Sequence, residues 1–132
     1  MTTSKRAPTW IVAVSGLLAL LGVGFTLGVY RDPQMLFATA TRADPMLASW
    51  AVRNLATAVV LGVAALSRRA DFLAMGLLGR VVTELGDGLI ATRPFDAAGV
   101  AFPVVMLAVE IPALAALRRA IVRSSAPAEA AT

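Results

Sequence analysis

Four apolar stretches, each long enough to cross a lipid bilayer, dominate this chain of 132 residues. A bilayer core of about 30 Å requires roughly 20 predominantly apolar residues in a helix. The four stretches lie at about 10–30, 45–66, 72–91 and 100–117. Apolar residues make up 58% of the chain and charged residues 15%, whereas soluble domains average about 45–50% and 25%. The sequence therefore predicts a membrane protein, because a soluble bundle would need polar helix faces that the first stretch lacks.

The connections between the stretches predict the topology. The last three stretches are joined by short loops, which favour antiparallel neighbours. We therefore expect an all-α protein with one domain over 1–123, a four-helix transmembrane up-down bundle. Asp44-Pro45 is typical of an N-cap followed by a first helical residue. The loop 31–46 is expected to lie on the membrane surface or to fold over the bundle mouth, and 124–132 is expected to be a disordered tail.

Lys and Arg residues outside the spans fall unevenly on the two sides. The amino end, the loop between the second and third spans and the carboxyl tail hold seven of them, and the other side holds three. The positive-inside rule then puts both termini in the cytoplasm of a multi-pass plasma-membrane protein. The net charge of +4 thus reflects orientation, and no nucleic-acid partner is expected. Arg118, Arg119 and Arg123 either only set this orientation or also bind anionic membrane lipids.

The amino end allows a second interpretation. Lys5-Arg6, an apolar run and Ala38-Thr39-Ala40 together resemble a secretory signal with its cleavage site. The apolar run of about 20 residues exceeds the usual ~7–15 of a signal core. We therefore expect the first stretch to be retained as a span.

The chain contains neither cysteine nor histidine. Disulfides, Cys-based metal sites and a Ser-His-Asp triad are therefore excluded, as is a histidine proton shuttle. Phosphate-binding loops and nucleotide fingerprints are also absent from the sequence. We expect no metal and no cofactor.

Six ionisable or amide side chains interrupt the last three spans. They are Arg53, Asn54, Arg80, Glu84, Asp87 and Glu110. A charge that faces lipid at the bilayer centre costs at least about 2.5–3.5 kcal/mol. Arg80, Glu84 and Asp87 stand at i, i+4 and i+7, so they share one helix face. This spacing predicts a polar stripe that faces the bundle interior.

Depth along the helices suggests how the charges pair. At a rise of ~1.5 Å per residue, Arg53 and Glu84 lie about 4–5 Å outward of their span centres. Arg80 and Glu110 lie near the midplane, and Asp87 lies about 9 Å outward. The layers predict the ion pairs Arg53–Glu84 and Arg80–Glu110, with Asp87 left over near the outer mouth.

The charge count within the spans predicts a bound proton. Three carboxylates share two guanidinium groups, so the cluster should titrate as a coupled set and hold a proton near neutral pH. Such a set suits general acid/base chemistry or proton-coupled transport. Glu84, Asp87 and Glu110 are the candidate catalytic residues. The candidates for binding substrate or tuning these carboxylates are Arg53, Asn54, Arg80 and Trp50.

Glycines and prolines near the cluster indicate where space is available. Gly86 and Gly88 flank Asp87 and thin the wall of the third helix, while Pro103 and Pro112 interrupt hydrogen bonding in the fourth. We expect a polar cavity there, in the outer half of the bilayer. In the first span, Gly24-Phe25-Thr26-Leu27-Gly28 predicts a close contact with a neighbouring helix, and a homodimer contact is the alternative.

The four-span layout, Arg53-Asn54 early in the second span and Gly86-Asp87-Gly88 late in the third resemble the small DoxX-like integral membrane proteins. The resemblance covers mainly 50–96 and is closest to four-helix relatives of unknown function. It implies the fold and a membrane location but no activity. Glu84 and Glu110 have no counterpart in that pattern.

Three functions remain open at this point. The first is an enzyme that performs metal-free acid/base chemistry on a lipophilic small molecule, such as epoxide hydrolysis, isomerisation or cyclisation. The second is a proton-coupled transporter or channel subunit. The third is a structural accessory subunit whose buried pairs only hold the helices together.

Overall fold

The computed structural model describes residues 6–35, 45–91 and 97–123, and all its regular elements are helices. They are α1 (Thr9–Arg31), α2 (Pro45–Ser67), α3 (Ala70–Ala91) and α4 (Ala97–Arg123), with a short 3-10 turn at Pro33–Met35. The four predicted stretches are thus confirmed as helices, and α4 continues past the predicted end at 117. The predicted cap at Asp44, most of the 31–46 loop, the 38–40 motif and the 124–132 tail lie outside the described residues.

The helices pack in the predicted up-down, antiparallel order. Backbones approach closely between α1 and α2, between α2 and α3, and between α3 and α4. The backbone N–H of Ala7 donates to the carbonyl of Arg68 at 2.9 Å, so the amino end of α1 and the α2–α3 turn lie at the same end. We call this the basic end of the bundle. The seam between α1 and α4 has fewer close backbone approaches than any sequential pair.

Three helices are long and apolar enough to cross a membrane. α1, α2 and α4 have mean hydropathies of 2.2, 1.5 and 2.2 over their most apolar windows. Large apolar side chains point outward along these helices, among them Leu20, Val52 and Leu66. Leu66 is the most exposed of them, at 86%. Three long apolar helices with outward apolar side chains indicate a multi-pass membrane protein.

Helix α3 does not meet the same criterion, because Arg80, Glu84 and Asp87 fall within its apolar window. Its outward face is nevertheless apolar. The large exposed side chains between 72 and 90 are Phe72, Met75, Leu78, Val82, Leu85, Leu89 and Ile90. The charged residues of α3 in this stretch face inward, as their i, i+4, i+7 spacing predicted.

An apolar core fills the half of the bundle nearest the basic end. It draws on all four helices, and its largest members are Ile11, Leu18, Leu61, Leu73, Leu77 and Leu117. The buried charged side chains begin near the midpoints of α3 and α4, at Arg80 and Glu110. We call the part of the bundle from there to the end opposite the basic end the polar half.

Close approach between α1 and α2 occurs at Gly22. A Cβ atom at Gly22 would lie 3.0 Å from the Ala58 Cβ and 4.0 Å from the Arg80 Nη1. The predicted helix contact at Gly24 and Gly28 is wrong, because Gly24 has no neighbour within 4 Å and Gly28 lies against Met35 of the adjoining 3-10 turn. The glycine that lets the helices approach lies two residues earlier, on the face turned towards Arg80.

Candidate functional site

Arg80 of α3 is the centre of the buried polar cluster. Its guanidinium donates from Nε to the Glu110 Oε1 at 3.2 Å and from Nη1 to the Asn54 Oδ1 at 3.2 Å. Its Nη2 donates to the Glu84 Oε1, one helical turn further along α3. One side chain thus connects α2, α3 and α4. The predicted Arg80–Glu110 pair is confirmed.

The inner cluster, defined as Asn54, Arg80, Glu84 and Glu110, is closed off from solvent. Arg80, Glu84 and Glu110 are at most 2% exposed, and Asn54 is 4% exposed. One polar atom in it has no partner among the described residues, the Glu110 Oε2. A buried carboxylate oxygen without a donor is costly when the group is ionised, and the cost falls when the group carries a proton or meets a ligand.

A second pair lies one turn outward, towards the mouth of the polar half. Arg53 of α2 donates to the Asp87 Oδ1, and the Trp50 indole donates to the Asp87 Oδ2 at 3.2 Å. The side chains of Arg53 and Asp87 are 41% and 12% exposed. This outer cluster, defined as Trp50, Arg53 and Asp87, is therefore partly exposed at the surface of the bundle, whereas the inner cluster is enclosed.

The predicted pairing of Arg53 with Glu84 is wrong, and Asp87 is not left over. Side chains on a helix tilt toward its amino end. The amino end of α2 lies at the mouth, so the Arg53 side chain leans outward, while Asp87 on antiparallel α3 leans inward to meet it. Glu84 pairs instead with Arg80 on its own helix. The i, i+4 spacing predicts that contact, and the depth layers did not include it.

Aromatic rings from three helices lie beside the outer cluster. Phe25 of α1 stacks on Phe102 of α4 with centroids 4.7 Å apart, and meets Trp50 edge-on at 5.8 Å. The stacked rings of Phe25 and Phe102 join α1 to α4 across a seam with few close backbone approaches. Trp50 therefore packs into the bundle as well as donating to Asp87. Phe25 and Phe102 were not among the predicted site residues, because a phenylalanine in an apolar span carries no signal of its own.

The predicted cavity around these residues stays a prediction, and the space beside Gly86 is open, with no atom within 4 Å of a Cβ placed there. A groove of 610 Å³ lies on α4 and is lined by none of the seven predicted site residues. Gly88, predicted to open space, lets the α4 helix approach instead, because a Cβ there would lie 3.6 Å from the Pro103 Cβ. In the described ranges, no three acidic side chains converge as a metal site would require.

Comparison with known proteins gives no family for the chain: no family model matches it, and no curated protein or solved structure gives a significant match. The chain is thus a four-helix protein with three candidate membrane spans. The geometry of the two polar clusters is the basis for its functional interpretation.

Proposed function

We propose that the chain is a four-span membrane enzyme that performs acid/base chemistry on a lipophilic small molecule, with Glu84 and Glu110 as the reacting carboxyl groups. The observation that carries the proposal is the buried, unpartnered Glu110 Oε2 in a cluster with two carboxylates and a single guanidinium. With both carboxylates ionised the inner cluster would carry a net charge of −1 in a region of low dielectric. One proton on Glu110 neutralises it and gives the unpartnered oxygen a hydroxyl.

The roles of the two carboxyl groups follow from their contacts. Protonated Glu110 is the acid, which donates its proton to an oxygen of the substrate. Ionised Glu84, held by Arg80, is the base, which accepts a proton from water or from a substrate carbon. In epoxide hydrolysis the proton lost by water ends on Glu84 and the proton lost by Glu110 ends on the product diol. Transfer of a proton from Glu84 to Glu110 then restores the starting state.

The proposal takes α3 as the fourth membrane span, beside α1, α2 and α4. The outward residues of α3 are apolar and its charges face inward. Burial of these charges in the bundle avoids the free-energy cost of exposing them to lipid. The excess of Lys and Arg at the basic end supports cytoplasmic termini and a plasma-membrane location. The DoxX-like resemblance contributes an expectation for fold and location, and the proposal of activity does not depend on it.

A one-sided site favours chemistry over transport. The apolar core closes the bundle toward the basic end, whereas on the other side of the inner cluster the Arg53 side chain is 41% exposed. A substrate would reach the inner cluster from the mouth or from the lipid phase between α1 and α4, past Phe25 and Phe102. A carrier needs alternating access from both sides, for which the apolar core offers no polar path.

Infrared difference spectroscopy tests the proposed proton directly. The native protein in lipid should show the carbonyl stretch of a protonated carboxyl group at neutral pH, and Glu110→Gln should remove it. Asp71→Asn is the matched control, because Asp71 is an exposed carboxylate at the basic end and should leave the band unchanged. Persistence of the band in Glu110→Gln, or its absence from the native protein, would contradict the assignment.

Activity is tested with stilbene oxide and with a lipophilic ketone whose α-carbon bears exchangeable protons, both in D₂O. The enzyme should form the diol or incorporate deuterium into the ketone. Glu84→Gln and Glu110→Gln should abolish either reaction, and Asp71→Asn should not. If both glutamine variants fold and keep the native rate, the proposed roles are wrong.

A structural function is the second candidate, and one observation favours it. Arg80 donates to residues of α2, α3 and α4, so it holds three helices together whether or not chemistry occurs there. The activity assay separates the two functions, because a buried cluster with two carboxylates and one guanidinium holds a proton whether or not chemistry occurs there. If the cluster serves only to join helices, Glu110→Gln removes the infrared band and the native protein turns over neither the epoxide nor the ketone.

A further inference from the structure

A groove runs along the carboxyl-terminal half of α4, and the residues that line it all belong to that helix. It has a volume of 610 Å³. The lining residues recur every three or four positions, as one helix face requires, and they are Ile111, Leu114, Ala115, Arg118, Arg119 and Val122. The groove is thus apolar over one helical turn and a half and then carries two adjacent guanidinium groups.

The two arginines are exposed and form no ion pair with any residue in 6–35, 45–91 or 97–123. Arg69, at the same end of the bundle, differs from them. It donates to both oxygens of Asp71, at 3.2 and 2.6 Å, and these hydrogen bonds lower the pKa of Asp71 to about 2. The charge of Arg69 is therefore matched at neutral pH, whereas the charges of Arg118 and Arg119 have no match among the described residues.

The groove changes from apolar to positively charged along α4, which suits a molecule that is part apolar and part anionic. Leu117 belongs to the apolar core, and Arg118 and Arg119 follow it directly, where the helix leaves that core. Ile111 and Leu114 lie one to two turns deeper, within the apolar window of α4. An acyl chain fits the deeper part, and a phosphate fits the end where the guanidinium groups lie.

We propose that this groove binds an anionic phospholipid, with one acyl chain along Ile111, Leu114 and Ala115 and the headgroup phosphate at Arg118 and Arg119. Arginine donates to phosphate oxygens in a fork-like geometry. Two adjacent guanidinium groups favour an anionic headgroup over a zwitterionic one, because a zwitterionic headgroup carries a cation of its own that they repel. The apolar stripe formed by Ile111, Leu114 and Ala115 favours a lipid over free phosphate, because only a lipid has an acyl chain that packs against it. This inference is independent of the acid/base chemistry at the inner cluster.

Native mass spectrometry of the full chain tests the inference. The protein is released from micelles that contain equal amounts of phosphatidylglycerol and phosphatidylcholine, and the ratio of the two retained lipids is measured. We expect phosphatidylglycerol to be retained preferentially. Arg118→Gln and Arg119→Gln should each lower the preference about fivefold, since an arginine near an anionic surface contributes an attraction of that order.

Two further variants separate the parts of the site. Arg69→Gln is the matched control: it removes an arginine that is already paired, and it should leave the preference unchanged. Leu114→Ser should lower the retention of phosphatidylglycerol while the arginines remain. The double variant Arg118→Gln/Arg119→Gln still leaves five Lys and Arg residues at the basic end against three at the other, so the orientation is preserved.

Three results would overturn the inference. Equal retention of the two lipids by the native protein would show that the groove has no preference for charge. An effect of Arg69→Gln as large as that of Arg118→Gln would show that only the net charge of the basic end matters. Displacement of phosphatidylglycerol by inorganic phosphate at equal concentration would show a phosphate site to which the apolar stripe contributes nothing.

Discussion

Replacing Arg80 with methionine should remove much of the stability of the bundle. The side chain is 2% exposed and donates to Asn54, Glu84 and Glu110. Methionine retains the length and apolar stem but leaves two buried carboxyl groups and one amide oxygen without their donor. Removal of one partner from a buried ion pair costs about 3–5 kcal/mol. This is a large part of the roughly 5–15 kcal/mol that stabilises a typical domain.

The free energy of unfolding is measured by titrating the protein in mixed micelles with a denaturing detergent. Helix content by circular dichroism and the fluorescence of the two tryptophans report the transition. The triple variant Arg80→Met/Glu84→Gln/Glu110→Gln is the control, because it removes the charges that the single variant leaves unmatched. It should recover about half of the loss and retain a deficit of about 1–3 kcal/mol, the cost of buried polar groups that lack a full set of partners.

The stabilities of the two variants together test whether the cluster is buried and whether unmatched charge causes the loss. A loss below about 1 kcal/mol in Arg80→Met is the size expected of an exposed ion pair and would show that the cluster is solvated rather than buried. A triple variant no more stable than the single variant would show that unmatched charge is not the cause of the loss.

Three further predictions concern the packing around the site. Asp87→Asn should cost only about 0.2–1 kcal/mol in the same titration, because its partner Arg53 is 41% exposed. A loss as large as that of Arg80→Met would show that the outer cluster is as buried as the inner one. Gly22→Ala should cost about 1–3 kcal/mol, because the new Cβ would lie 3.0 Å from the Ala58 Cβ. Gly24→Ala has open space around it and should be neutral or slightly stabilising. Equal effects of the two variants would contradict the close contact between α1 and α2. Arg68 has a φ of 54°, so Arg68→Val should destabilise the α2–α3 turn by about 1–2 kcal/mol relative to Arg68→Gly, and a valine variant as stable as the glycine variant would refute the left-handed turn.

The helices could be predicted from the sequence because the signal for them is strong. Each span is a long apolar run between polar connections, and a helix is the usual way to satisfy backbone hydrogen bonds in lipid. The inward face of α3 could be predicted for the same kind of reason. The three charged residues share one face, and only the bundle interior can accept them.

The partners of those charges were harder to predict. Depth alone placed Arg53 level with Glu84, but the direction in which each side chain leaves its helix moved Arg53 outward to Asp87. Arg80 makes one local contact, to Glu84 at i+4. Its contacts to Asn54 and Glu110 depend on how three helices pack. Local spacing can be read from the sequence, whereas the rotation of each helix about its axis cannot.

Small and aromatic residues were the least predictable part of the site. Gly24 and Gly28 carry the sequence signal of a helix contact, yet the glycine that meets another helix is Gly22. The four-residue spacing of Gly24 and Gly28 puts them on one face, but the neighbour of that face is set by the packing of the whole bundle. The ring contacts of Phe25 and Phe102 have the same origin, since two phenylalanines far apart in the chain meet only when α1 and α4 come together.

The central claim is that α3 crosses the membrane with its charges turned inward and its apolar face in lipid. The chain contains no cysteine, so single cysteines can be introduced and spin-labelled in bilayers without further substitution. Labels at Leu78, Val82 and Leu85, which face outward, should be relaxed by oxygen dissolved in the lipid, and a label at buried Leu77 should not. Relaxation of the outward labels by a water-soluble reagent, or equal oxygen exposure at all four positions, would contradict the claim.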